Sequence, residues 1–176
     1  MFDAVIFSGP DPEHAARTLA GLIDGVIDGL LRRVLVVSAS QNADLDKLAD
    51  ASGCRLEQGV EARRLPAVLA SHLETQHVLA FEAGALLEPG WPVHLNRMFQ
   101  RHGLPASDAA IAFRPENFGP RMVLRWIALP TGHLPLTHGL LLPMSCLVVP
   151  DFNRKTAQVS GGIRMAPLTV ARRSGT

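Results

Sequence analysis

The chain has 176 residues, of which 47% are hydrophobic and 19% charged, and its formal net charge is +1. This length suits one compact domain with a sizeable core, and the composition excludes wholesale disorder, a collagen-like chain and a disulfide-rich secreted module. Tyrosine is absent and aromatic residues make up 5%. The chain therefore lacks the stacking surface of a general nucleic-acid-binding protein, and no nucleic-acid partner is expected.

Apolar runs of strand length alternate with segments of helical periodicity along the first half of the chain. Residues 4–7 predict a buried strand, and Pro12 opens a helix that has Asp11 as its N-cap and ends near Asp24-Gly25. The following segments predict a strand at 34–37, a short helix around 45–49, a strand at 54–56, a helix over 61–73 and a strand at 77–81.

The second half of the chain continues the alternation. A turn at 88–92 leads into a helix, 109–113 predict a strand, 120–129 a helix, and 140–142 and 146–149 a buried strand or packed loop. This order predicts an α/β fold of three layers, α/β/α, with a mostly parallel central sheet. Ligands of such sheets bind beyond the carboxyl ends of the strands. The site is therefore expected at loops 7–11, 38–42 and 82–88.

Charge divides the chain into a mildly acidic body and a basic tail. All 16 acidic residues precede residue 152, and residues 152–176 carry five basic ones. We expect one α/β domain over residues 1–150, and a tail over residues 151–176 that is either a final strand or disordered. The tail is a solvated terminus or makes a peripheral contact with an anionic membrane surface.

Several features bear on location. The apolar stretch 126–150 is interrupted by three prolines and carries two histidines, so it predicts no transmembrane segment. Residues 1–8 lack the basic start of a secretory signal. Two cysteines suit a reducing compartment. The sequence thus predicts a cytoplasmic protein, and it indicates no oligomeric state.

Polar side chains at the predicted strand ends are the candidate site residues. Ser38 and Ser40 either donate hydroxyls to a ligand or form the turn. Glu82 directly follows a buried strand and either serves a site or caps a loop. His133 and His138 lie between a predicted helix and an apolar run, and they either perform acid–base chemistry or hydrogen-bond within the loop. No G-x-G-x-x-G or P-loop motif accompanies them.

Taken in order, these segments resemble a bacterial family 2 glycosyltransferase over roughly residues 4–149. The run 5-VIFSGPDPEHAARTLAGLIDGVIDGLLRRVLVVSAS-40 resembles the family's first strand, helix and V-V-D-G-G-S strand end. The run 45-LDKLADASGCRL-56 resembles its next helix and strand. The most specific match is 78-VLAFEAGALLEPGW-91, which is similar to L-F-L-H-A-D-T-x-L-E-P-G-W, and 132-GHLPLTHGLLL-142 resembles G-L-P-Y-G-D-Q-G-L-L-I.

The resemblance implies a GT-A-type fold that binds a nucleotide-diphospho-sugar donor, usually with a divalent metal. Nucleotide contacts would fall on Ser8, Asp11, Ser38 and Ser40, and catalytic roles on Glu82 and His138. The chain departs from the family at three acids. Ser38 stands in place of the family's nucleotide-binding aspartate. Gly84 stands in place of its metal-binding aspartate, and Glu82 in place of the histidine that precedes that aspartate. Thr137, beside His138, stands in place of the acid of D-Q-G.

These departures predict weakened or lost metal-dependent catalysis, because neither a glycine side chain nor a serine hydroxyl replaces a carboxylate on Mg²⁺ or Mn²⁺. No cofactor is expected, and Mg²⁺ or Mn²⁺ would bind only if Glu82 holds the ion. The leading interpretation is a glycosyltransferase-like protein. One alternative is a non-catalytic nucleotide-binding, sugar-binding or partner-binding module of the same fold. The other is a nucleotidyltransferase, which would show a glycine-rich basic loop after the first strand.

Overall fold

Strands and helices alternate in the computed structural model, which describes residues 1–103, 110–115, 133–136, 139–147, 156–158 and 163–172. The α-helices are α1 (Pro12–Ile27), α2 (Ala43–Ser52), α3 (Leu65–His72) and α4 (Trp91–His102). The strands are β1 (Phe2–Ser8), β2 (Leu31–Ser38), β3 (Arg55–Glu57), β4 (His77–Glu82), β5 (Ala85–Leu87), β6 (Ala110–Pro115), β7 (His133–Pro135), β8 (Leu140–Pro143), β9 (Thr156–Gln158) and β10 (Ile163–Arg172).

Eight of these strands form one sheet in the order β3-β2-β1-β4-β8-β6-β10-β5, and β7 and β9 form a separate antiparallel pair. Within the sheet β8 runs antiparallel to β4 and β6, and β5 runs antiparallel to β10. The other neighbouring pairs are parallel. The predicted mostly parallel sheet is confirmed.

The sheet buries both faces, as its continuous apolar strands require. Along β1, Ala4 and Ile6 face a core that includes residues of α1, α2 and α4. Val5 and Phe7 face a second core that includes residues of α3. Because successive side chains of a strand point to opposite faces, one strand contributes to both cores. The predicted three-layer α/β/α class is therefore confirmed.

Helix α1 extends past its predicted end at Asp24-Gly25 and reaches Ile27. Gly25 lies where the helix meets the indole of Trp91, and a Cβ on Gly25 would stand 2.4 Å from Cζ2 of that ring. The glycine therefore permits a close approach of α1 and α4 and does not end the helix. A second correction concerns 61–73, where a 3-10 turn at Ala62–Arg64 precedes α3. Pro66 lies in the first turn of α3, where proline is favoured because it has no N–H to donate.

Two strands differ from the prediction at the far edge of the sheet. Residues 85–87, which were expected to be loop, form β5. Its partner β10 comes from the basic tail, pairs with β6 on its other side, and is a strand of the central sheet. The predicted helix over 120–129 lies outside the described residues. Within the described ranges, no helix is both long and apolar enough to cross a bilayer.

Candidate functional site

Three of the predicted site residues end neighbouring strands at the carboxyl edge of the sheet. Ser8 ends β1 and lies in register with Ser38 at the end of β2, and Phe7 lies in register with Glu82 at the end of β4. Strand order reverses here, because β2 and β3 lie on one side of β1 and β4 on the other. Such a switch point is where open α/β sheets bind ligands.

The two strand-end serines are buried and partly used by the protein's own turns. Ser8 is 3% exposed, and its hydroxyl donates to the carbonyl of Gly9 at 3.0 Å. Ser38 is fully buried, and its Oγ accepts from the backbone N–H of Ser40 at 3.3 Å. Ser40 itself is exposed. The turn-forming role considered for Ser38 is therefore present, and Ser40 offers a free surface beside it.

The loops that follow β1 and β2 are tied together. Asp11 caps α1 by accepting from the N–H of Glu13 at 2.9 Å. Asn42 caps α2 by accepting from the N–H of Asp44 at 2.9 Å, and its Nδ2 donates to the carbonyl of Pro10 at 2.9 Å. This last bond fixes the separation of the two loops. A cleft of about 460 Å³ opens beside them, lined by Gln41, Asn42, Ala43, Asp46, Leu56 and Gln58.

The segment after β4 packs against α1. Glu82 is 8% exposed, and the next residue, Ala83, donates its N–H to the carbonyl of Phe7 at 3.0 Å. The N–H of Gly84 lies 3.0 Å from the carbonyl of His14 and 2.9 Å from Oγ1 of Thr18. Gly84 has φ +98°, in the range that favours glycine. Its conformation is therefore held by α1.

The imidazole of His14 lies against Gly84. A Cβ on Gly84 would stand 3.6 Å from Cγ of the His14 ring. The Nε2 of His14 is 3.7 Å from a carboxylate oxygen of Asp11, and the His14 side chain is 34% exposed. His14 thus joins the site, although the sequence analysis did not single it out. The available signal was its place in the first turn of a helix, three residues after the capping Asp11.

The predicted base His138 lies outside the described residues. Its neighbour Gly139 is buried with φ +83°, and a Cβ there would stand 2.3 Å from Cε1 of Phe81. Gly139 donates to the carbonyl of Leu136 at 3.1 Å and accepts from the N–H of Phe113 at 3.2 Å. Gly139, the residue that follows His138, is thus fixed beside Phe81, the residue that precedes Glu82.

The described residues bring no three histidine, cysteine, aspartate or glutamate side chains together as a metal-binding group. Glu82 is the buried carboxylate at the end of β4, and Gly84 offers no side-chain oxygen. Mg²⁺ and Mn²⁺ prefer several oxygen ligands, of which carboxylates are the strongest. The described part of this edge therefore does not fit a divalent ion in the way a carboxylate pair does.

A larger cavity lies away from this edge. It has about 700 Å³ between α1, α2 and the first residues of β2 and β3, and it is lined on α1 by the exposed Ile23, Val26 and Ile27. Its position at the amino ends of the strands separates it from the polar residues at the carboxyl edge. The smaller cleft beside Asn42 is the one that belongs to the candidate site.

Comparison with solved structures shows which proteins share this fold. Glucosyl-3-phosphoglycerate synthase from Mycobacterium tuberculosis, in complex with Mn²⁺, uridine diphosphate (UDP) and glucosyl-3-phosphoglycerate, matches at TM-score 0.61 and 15% identity, covering 99% of this chain and 73% of that chain. Its complex with Mg²⁺ and UDP matches at TM-score 0.62 and 14% identity, covering 99% and 72%. The complex with Mn²⁺ and UDP-glucose gives 0.61 and 15%, covering 99% and 72%.

No family model matches the chain, and no curated protein matches it. At this identity the structural likeness establishes the fold. It is the GT-A-like fold of nucleotide-sugar glycosyltransferases, as the sequence resemblance implied.

Proposed function

We propose that this protein is a nucleotide-sugar glycosyltransferase of the family 2-like type. The observation that carries the proposal is that Ser8, Ser38 and Glu82 end three neighbouring strands at the strand-order switch of the sheet. It is supported by a fold shared with structures that contain UDP and UDP-glucose. The substrate class is therefore a sugar attached to a nucleoside diphosphate.

In this proposal the nucleotide lies over the ends of β1 and β2. Ser8, Asp11, Ser38 and Ser40 border that surface, and the cleft beside Asn42 is lined by Gln41, whose exposed side-chain amide can hydrogen-bond a base. Asp11 also holds the first turn of α1 in place by capping it. The proposed domain covers residues 1–150, and residues 151–176 add β10 to its sheet.

Glu82 and His138 take the catalytic roles. In glycosyl transfer the acceptor hydroxyl bonds to the anomeric carbon as the bond from that carbon to the diphosphate oxygen breaks, and the hydroxyl proton passes to a base. A neutral histidine can accept that proton near neutral pH, and we assign this role to His138. Glu82, buried at the end of β4, positions the sugar or its leaving group from the same edge.

The alternative is a binding module that keeps the pocket and has lost transfer. One observation favours it: Gly84 stands where the resembled family has a metal-binding aspartate, and no three-residue metal group accompanies it among the described residues. A missing preorganised charge partner costs about 10²–10³ in rate. On this basis we propose that catalysis is weakened or lost relative to metal-dependent relatives.

We further propose a cytoplasmic location and a nucleotide-diphospho-sugar partner. The basic residues of 152–176 are the proposed point of any peripheral contact with an anionic membrane surface.

Calorimetry with UDP-glucose, together with detection of released UDP, tests the proposed function. We expect the wild-type protein to bind the donor and to release UDP. We expect Glu82→Gln and His138→Gln each to reduce UDP release by at least tenfold, with a melting temperature within about 2 °C of wild type. Glu61→Gln is the matched control, because Glu61 is exposed and pairs with Arg63 on the protein surface. Binding without UDP release supports the module. Absence of binding contradicts both.

A further inference from the structure

The contact between His14 and Gly84 places a cation-forming side chain where the resembled family has a carboxylate that binds metal. The carbonyl of His14 accepts from the N–H of Gly84, and the imidazole lies against the space that a larger residue at 84 would fill. The ring thus lies beside Gly84 at the carboxyl edge of the sheet, within ordinary contact distance of a Cβ at that position.

A bound nucleoside diphosphate needs positive charge at this edge. An acidic side chain, that of Asp11, lies 3.7 Å from Nε2 of His14, and Glu82 ends β4 at the same edge of the sheet. A diphosphate brought beside these groups meets like charges, which is unfavourable without a counter-charge. In metal-dependent enzymes a divalent ion supplies that charge through carboxylate ligands. The described residues around Gly84 do not form such a ligand set.

The geometry points to His14 as the replacement. We propose that this protein binds its nucleoside diphosphate without a divalent metal, and that the His14 side chain contacts the diphosphate in place of the ion. The proposal rests on the proposed nucleotide-sugar function. An imidazolium carries positive charge and two N–H donors, so it can bond a phosphate oxygen through Nε2. The side chain is 34% exposed, so a ligand bound at this edge of the sheet can contact it.

Arg17 provides a matched comparison on the same helix. It lies one turn after His14, is 45% exposed, and its NH2 group lies 3.2 Å from a carboxylate oxygen of Glu13. The three atoms nearest to a Cβ at Gly84 all belong to His14, so Gly84 fixes the position of His14 at the edge of the sheet and not that of Arg17. Arg17→Gln thus removes one positive charge from this face of α1 without removing the proposed contact.

The test is calorimetric titration of the full chain with UDP, and with uridine, in EDTA and again in Mn²⁺. We expect wild-type affinity for UDP to change by less than about twofold between EDTA and Mn²⁺. His14→Gln weakens UDP binding by about tenfold or more, as expected for loss of a charge-assisted hydrogen bond, and leaves uridine binding unchanged. His14→Arg retains most of the affinity for UDP. Arg17→Gln binds UDP like wild type.

The outcomes separate this inference from the proposed function. UDP binding that requires Mn²⁺, or an equal loss in His14→Gln and Arg17→Gln, overturns the role of His14 and leaves the nucleotide site standing. Loss of uridine binding together with UDP binding in His14→Gln overturns the proposed contact with the diphosphate. Absence of UDP binding by wild type in both buffers overturns the nucleotide site and this inference together. His14→Asn serves as a second variant if His14→Gln does not fold.

Discussion

Replacing Gly25 with alanine should destabilise the protein, although alanine is the better helix former. A Cβ at Gly25 would stand 2.4 Å from Cζ2 and 2.6 Å from Cη2 of Trp91, and 3.1 Å from Cδ1 of Leu31. Trp91 is fully buried, and its Nε1 donates to the carbonyl of Gly21 at 2.9 Å. The indole is thus held between its hydrogen bond and the core, and it has little room to move away.

Two effects of opposite sign decide the magnitude. Alanine is favoured over glycine inside a helix by about 1 kcal/mol. Overpacking of a core costs about 1–3 kcal/mol and sometimes more. Because the clash involves a rigid buried ring, the cost should reach or exceed the upper end of that range, and we expect a net loss of about 2 kcal/mol. For a chain of this length that corresponds to a fall in Tm of about 4–8 °C.

Gly21→Ala is the matched control on the same helix. The nearest atom to a Cβ at Gly21 is the backbone nitrogen of Leu87, at 3.5 Å, which is an ordinary contact. This variant should gain about 0.5–1 kcal/mol from helix propensity alone. Urea denaturation followed by tryptophan fluorescence measures both variants, and Gly25→Ala should cost less in a Trp91→Phe background. A Gly25→Ala protein as stable as wild type would refute the packing argument.

Three further predictions concern other parts of the chain. Asp3→Ala should lower the free energy of unfolding in urea by about 1–3 kcal/mol, since the buried Oδ2 of Asp3 accepts from the N–H groups of Glu74 at 2.7 Å and Thr75 at 3.2 Å; an unchanged midpoint would contradict this. A hydrogen bond from Arg33 holds the pKa of the Glu74 carboxyl below its ordinary value, so its contribution is present above the unfolded pKa of about 4.3 and is lost as pH falls through the folded pKa. Glu74→Gln should therefore be less stable than wild type at pH 7 and should approach it near pH 3, as urea titrations at both pH values would show. Burial raises the pKa of the Cys54 thiol, so iodoacetamide should alkylate Cys54 more slowly in the folded protein than in urea, which peptide mass spectrometry measures; equal rates would count against burial of the thiol.

The strands of the first half of the chain were predictable because each is a continuous apolar run. Residues 4–7, 34–37 and 77–81 lie inside β1, β2 and β4, whose buried faces demand such runs. β5 was missed because Ala85–Leu87 is three residues long, and its partner, β10, lies far along the chain in a segment whose apolar alternation is interrupted by Pro167. The sequence predicts an end of α1 that is too early, because a glycine such as Gly25 looks the same in the sequence whether it ends a helix or makes room for a packed side chain such as Trp91.

The candidate site was predictable in its strand-end residues and not in its helical one. Ser8, Ser38 and Glu82 follow buried strands, and the parallel topology alone brings such positions to one edge. His14 joins them because α1 packs its first turn against Gly84, a contact that depends on tertiary structure. No local pattern in the sequence encodes that contact. The roles of Ser8, Asp11, Ser38, Ser40, Glu82 and His138 stay predictions.

The strand order has a consequence for synthesis on the ribosome. The half-sheet β3-β2-β1-β4 can pair as soon as the residues through Glu82 have emerged. The free edge of β4 then stays unpaired until β8 has been synthesised. Strand β5 is synthesised directly after β4 but pairs only with β10, in which Val170 is the partner of Leu87. Pairings so distant in sequence form slowly and leave strand edges exposed. Throughout that interval the nascent chain presents an unpaired strand edge, a surface on which chaperones and neighbouring nascent chains compete.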